Sequence, residues 1–75
     1  MPNQVIRLIY PPHLLDVPIN NQLIRRFDLT FNILRAEVAP QAGWVDLQLA
    51  GSTGAIEGAI TWLSEQGIEI QRLAQ

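Results

Sequence analysis

The spacing of apolar residues along this chain switches between two periods, and each switch marks an element. Residues 4–10 are rich in β-branched and aromatic side chains and are stopped by Pro11-Pro12, which predicts a first strand. Residues 11–17 read as a loop. The period then lengthens: Ile19, Leu23 and Phe27 recur at every fourth position, with Ile24 widening the stripe. That predicts a helix to about Asp28, capped by Asp16 and tolerating Pro18 in its first turn. Arg25 and Arg26 lie off the stripe near the helix end, where positive charge suits the dipole. Residues 31–38 form a predicted second strand and residues 39–43 a turn. In residues 44–49 the alternation is clean: Trp44, Asp46 and Gln48 on one face, Val45, Leu47 and Leu49 on the other. Gly51-Ser52-Thr53-Gly54 breaks this third strand and offers a hydroxyl cap to a second helix. Its stripe is Ile56, Ala59, Ile60 and Leu63, and Gly67 follows its predicted end near Gln66. Residues 68–73 are the predicted last strand.

The order is β-α-β-β-α-β. With right-handed crossovers it predicts an α+β, ferredoxin-like sandwich: a four-stranded antiparallel sheet with both helices on one face. Strict alternation then sorts the two faces. Ile6, Leu8, Tyr10, Leu34, Ala36, Val38, Val45, Leu47, Leu49, Ile68 and Ile70 fall on the helix-covered side. Val5, Arg7, Ile9, Ile33, Arg35, Glu37, Trp44, Asp46, Gln48, Glu69, Gln71 and Leu73 fall on the open side. Charges there can pair across strands, while Val5, Ile9, Ile33 and Trp44 leave apolar surface that is either solvated or covered by a partner. The second strand lies at a sheet edge in this topology and carries no inward charge or bulge signal. It is a natural seam for a dimer with one continuous sheet. Val5, Ile9, Ile33, Arg35 and Trp44 are therefore the candidate interface residues.

Composition narrows the possibilities. The chain has 75 residues, which make one domain spanning residues 1–75. A chain of this size buries only about 60% of the surface it exposes when unfolded, so a further stabilising device is expected. Cysteine is absent, which removes disulfides and thiolate metal sites, and a single histidine leaves zinc mainly to carboxylates. No cofactor is expected, and oligomerisation is the device that remains. The formal charge is −2, from five arginines, no lysine and seven acids, which disfavours nucleic acid as a partner. Charged residues make up 16% of the chain, low against a typical value of about 25%, so some apolar side chains must reach the surface. No signal-peptide pattern opens the sequence, and no apolar run nears the roughly 20 residues of a membrane span. Membrane insertion is not expected, and the cytoplasm is the expected compartment. Met1 opens the sequence, which fits a complete, free-standing small protein.

Side chains with catalytic potential are scattered. Ser52 and Ser64 have no histidine base close in sequence, and His13 sits in a loop where solvation is its ordinary state. The acids show neither paired nor ligand-like spacing. Acylphosphatases share this topology and use an Arg and an Asn; Arg7 and Asn32 fit loosely, and no phosphate-cradling glycine loop follows the first strand. RNA-recognition modules want aromatics on the central strands of the open face, where only Trp44 qualifies, and metallochaperones need cysteines. Gly51-Ser52-Thr53-Gly54 lacks the spacing and lysine of a phosphate loop and reads as a helix cap. Gly58 inside the second helix implies close approach of another element, and Trp62 beside the stripe covers a core edge. An enzyme is not expected. Asn32, a poor strand former, opens the second strand. Either it satisfies backbone groups where helix passes into strand, or it presents an amide at the mouth of the helix–sheet core. An amide there can bind the charged ends of an amino acid while apolar neighbours such as Ile33 hold its side chain.

Several segments carry a family resemblance in the right order. Arg7-Leu8-Ile9-Tyr10 comes first, then Pro18 with Leu23 and Phe27, then Phe31-Asn32-Ile33-Leu34-Arg35-Ala36. Gly43 with Leu47-Gln48-Leu49-Ala50-Gly51 follows, and Ala59-Ile60-Thr61-Trp62-Leu63 with Gly67 closes the series. Together they resemble the NIL domain, named for its Asn-Ile-Leu signature and best known as the C-terminal regulatory module of the ATP-binding subunit of bacterial methionine importers. The resemblance spans the whole chain. It implies a non-catalytic, ACT-like ferredoxin fold that dimerises, binds methionine and restrains import when that amino acid is plentiful. The signature asparagine belongs to the methionine site, so Asn32 inherits that role through the resemblance. The segment is expected to stand without the ATPase or the ferredoxin module that accompanies it in other family members. The expected partners are a second copy, an amino acid such as methionine, and a transporter or redox protein acting in trans. The alternative is an interaction module that docks through the open face or the edge strand without a small molecule.

Overall fold

The computed structural model describes residues 2–14, 17–39 and 42–74. The elements are β1 (Asn3–Tyr10), a short 3-10 helix (Pro12–Leu14), α1 (Ile19–Arg26), β2 (Thr30–Ala39), β3 (Ala42–Ala50), α2 (Thr53–Glu65) and β4 (Glu69–Ala74). The strands form one antiparallel sheet in the order β2-β3-β1-β4, the ferredoxin-like arrangement expected from the alternation of periods. The core lies between the helices and the two central strands. Ile6 and Leu8 of β1, Val45, Leu47 and Leu49 of β3, Ile19 and Leu23 of α1, and Ile56, Ala59, Ile60 and Leu63 of α2 bury into one cluster. Period-two alternation puts the strand residues on one face, and each fully buried Leu or Ile stabilises the fold by about 1.5–3 kcal/mol relative to exposure. Among the described residues no helix is long and apolar enough to cross a membrane.

The two helices are finished differently. The Ser52 hydroxyl accepts the Ala55 N–H at 3.1 Å and caps α2. Past its other end Gly67 adopts φ +94°, a left-handed conformation that glycine adopts without strain. α1 is shorter than the apolar stripe predicts. It ends at Arg26, because Phe27 is extended (φ −129°, ψ 138°). Pro18 holds the cap position rather than a place in the first turn, and the expected cap, Asp16, lies outside the described residues. Ile24 is 55% exposed, so the buried stripe is Ile19 and Leu23 alone. A Cβ on Gly58 would stand 3.3 Å from the Phe27 ring, so that ring, edge-on to Trp62 at 6.3 Å, sits where α2 has no side chain.

β2 departs from strict alternation. Phe31 pairs with Leu49 and Ile33 with Leu47, but Arg35 pairs with Asp46, so Leu34 is an extra residue in a bulge. Directly paired residues share a face. Phe31 and Ile33 therefore lie on the helix side with Leu47 and Leu49, and Asn32, paired with Gln48, lies on the open side. Beyond the bulge, Arg35 and Glu37 are on the open face, and Ala36 and Val38 on the helix side. This corrects three expectations. Ile33 is not on the open face, Asn32 does not face the helix–sheet core at whose mouth one reading put its amide, and the edge strand does carry a bulge. Leu34 stays out of the core for the same reason. From Asn32 to Ala39 every residue of β2 is exposed, Ile33 by 59% and Val38 by 79%, because the helices bury their stripes over β1 and β3. A second irregularity, at Leu73 in β4, pairs Arg72 with Ile6 and turns it to the helix side. There its guanidinium meets Glu57 of α2 at 2.8 Å.

Candidate functional site

A cleft of about 390 Å³ opens at one end of the sheet. One wall comes from the end of β1, the 3-10 segment and the start of α1, with Tyr10, Leu14, Val17 and Asn20. The other is the β2–β3 end, with Glu37, Val38, Gly43, Trp44 and Val45. Its size falls in the range of small-molecule sites, and its lining is mostly apolar with a few polar groups. Tyr10 is largely buried and lines the cleft, and its hydroxyl donates to Asn20 Oδ1 at 2.7 Å. Burial pushes the Tyr10 hydroxyl up to about 12, against a smaller opposing pull from that hydrogen bond. A smaller hollow of about 200 Å³ lies at the opposite end, beside Gln4, Thr53, Glu57 and Arg72. The Arg72–Glu57 pair lines it, and Arg72 also reaches Gln4 at 3.2 Å.

The open face holds a different arrangement. Its rows follow from the register: Glu69, Ile9, Trp44 and Glu37; then Gln71, Arg7, Asp46 and Arg35; then Val5, Gln48 and Asn32. In the middle row Arg7 grips Asp46 through two bonds, at 2.7 and 3.0 Å, and Arg35 Nη2 donates to the same carboxylate at 2.9 Å. Asp46 is only 1% exposed although no helix covers it, because the two guanidiniums do. The hydrogen bond from Arg7 leads in holding the Asp46 carboxyl below the usual aspartate range, desolvation opposes it, and Arg35 adds to it. Arg7 also lies over the Trp44 ring at 4.3 Å. Three strands are thus tied by one carboxylate, and Arg7 is committed to Asp46 rather than to Asn32. Among the described residues no three of His, Cys, Asp and Glu gather as metal ligands.

The NIL domain family model matches residues 4–72. The chain belongs to the NIL domain family. Methionine import ATP-binding protein MetN 1 of Paraburkholderia xenovorans (strain LB400) is 32% identical over 74 residues, which cover 93% of this chain and 22% of that protein. The MetN protein of Burkholderia thailandensis matches to the same extent. The chain therefore spans about a fifth of the length of the curated relatives it matches. The crystal structure of the C-terminal domain of an ABC transporter / ATP-binding protein from Enterococcus faecalis superposes with a TM-score of 0.80 at 20% identity, covering 93% of this chain and 82% of that one. The two share a fold.

The NIL signature of this chain sits at the start of β2. Asn32 is exposed, faces Gln48, and lines neither hollow. Ile33 is exposed on the helix side, the side of the cleft, but at the far end of the same strand. Within one copy, then, Asn32 and Ile33 are not brought together with the cleft. Of the candidate interface residues, Val5, Ile9 and Trp44 are half-buried within the open face, while Arg35 is exposed beside the bulge. Sequence reasoning missed the Tyr10–Asn20 pair and the cleft above it. Only the parity of Tyr10 hinted at a buried hydroxyl in need of a partner.

Proposed function

We propose that this NIL domain is a non-catalytic regulatory module that binds an amino acid, methionine first among candidates, at the interface of a homodimer. The named relatives are methionine import ATP-binding proteins, and restraint of such a transporter in the cytoplasm is the role we assign. One observation carries the proposal: β2 is exposed on both faces and runs from the signature at one end to the cleft at the other. Two copies paired antiparallel through this edge, about a twofold axis, would set Asn32 and Ile33 of one beside the cleft of its partner. Ile33, on the cleft's side of the sheet, would cover the apolar part of the ligand, and the Asn32 amide would meet its polar end from the rim.

Docking on a transporter or redox protein through the open face draws less support. Val5, Ile9 and Trp44 are already half-buried by their neighbours, and the most exposed apolar side chains, Val38 and Ile33, lie on β2 instead. The test is calorimetry with L-methionine on the parent and on Asn32→Ala, with sedimentation velocity on both. The parent is expected to sediment as a dimer and bind, and the variant to stay dimeric and bind more weakly. Absence of heat at millimolar methionine sinks the ligand, and a monomeric parent sinks the shared site.

A further inference from the structure

We infer that Tyr10 holds the Asn20 amide so that the cleft offers hydrogen-bond donors, and that this pair selects ligands ending in a free carboxylate. The inference rests on the ligand-binding proposal above and adds the chemistry of recognition to it. A side-chain amide has an accepting end and a donating end. Here the accepting end, Asn20 Oδ1, is taken by the Tyr10 hydroxyl at 2.7 Å. Turning the amide over would leave a hydroxyl proton without an acceptor at a side chain only 9% exposed, an arrangement buried polar groups avoid. With its pKa raised to about 12, the hydroxyl keeps that proton throughout the physiological range. The donating end of Asn20, a residue of the cleft wall, therefore stays available: among the described residues no acceptor engages Nδ2. A carboxylate presents only acceptors to it, whereas a primary amide can present its own N–H groups and carries no charge. Leu14, Val38 and Val45 receive the apolar remainder of the ligand. Asn20 is the contacting residue, and Tyr10 is a positioning residue that acts through it.

The experiment compares L-methionine with L-methioninamide, by calorimetry, on the parent, Tyr10→Phe and Asn20→Asp. The parent is expected to prefer methionine by about tenfold, the scale of one hydrogen bond to a charged group. Tyr10→Phe frees the amide to turn, and the preference should fall toward unity even where overall affinity changes little. Asn20→Asp keeps an acceptor for the Tyr10 hydroxyl, so its fold is retained, but it puts an anion in the cleft and should invert the preference. A parent that binds methionine, with the same preference in all three proteins, overturns this inference and leaves the proposed function standing. A parent that binds neither compound overturns both.

Discussion

Asp46 is buried by its partners rather than by a second layer of structure. Its face of the sheet is open, yet the carboxylate is covered by Arg7 and Arg35 and accepts bonds from both. The folded carboxyl titrates below its ordinary value of 3.8, so folding favours the ionised form. The resulting stability is fully present above the unfolded value and is lost as the pH falls below it toward the depressed folded value. Asp46→Asn should therefore melt at a lower temperature than the parent at pH 7, with the gap narrowing as the pH drops below about 3.8. Circular-dichroism melts between pH 7 and pH 3 would show it, and a gap independent of pH would mean that the carboxylate's charge contributes nothing. The row that Asp46 anchors was legible as chemistry: acid and base alternate at matching positions on three strands. Its geometry was not, because nothing in the letters of β2 marks where its register shifts.

That shift belongs to the scale of elements. Ile33 and Leu34 are both apolar, so either parity of β2 gives an acceptable alternation, and sequence alone cannot choose between them. The register resolves it: the bulge at Leu34 lets Ile33 face the helix side and still delivers Arg35 to Asp46. β3 and α2 were legible throughout, since their apolar positions repeat without a neighbour that could replace them, and Val45, Leu47, Leu49, Ile56, Ala59, Ile60 and Leu63 are all buried. The same holds for the cap of α2. Ser52→Ala should cost about 1 kcal/mol in denaturant unfolding, the usual loss for a hydroxyl cap, which corresponds to roughly 4–8 °C in Tm for a domain of this size. A change within the scatter of surface substitutions would show that the Ala55 N–H is equally well served by water. The Tyr10–Asn20 contact could not be foreseen in the same way. It spans a proline-bearing loop, and its closure depends on how α1 lies over the sheet rather than on any local period.

For the whole molecule, the dominant fact is an edge strand that the described residues leave largely exposed. Val38 and Ile33 lie on the helix side of the sheet yet remain largely exposed. If two copies meet there, Val38→Asp should convert a dimer to a monomer in sedimentation velocity. As an exposed side chain outside the core it should change the intrinsic stability of the monomer by no more than about 0.5 kcal/mol. A variant that remains dimeric would move the seam away from β2. The arrangement of the strands carries one more consequence. Val5 pairs with Ala74, and Asn3 and Thr30 both pair with Ala50, so β1 begins and β4 ends at one pole of the sheet. Tyr10 and Gly43, at the cleft, mark the other pole. A strand of this length puts roughly 20–25 Å between the poles. Whatever is spliced to either end, whether a purification handle, an immobilising linker or a larger machine, would therefore hang from the pole away from that copy's own cleft. In the antiparallel dimer proposed above the same pole lies alongside the partner's cleft, so a bulky graft there should weaken ligand binding in the dimer more than a short one.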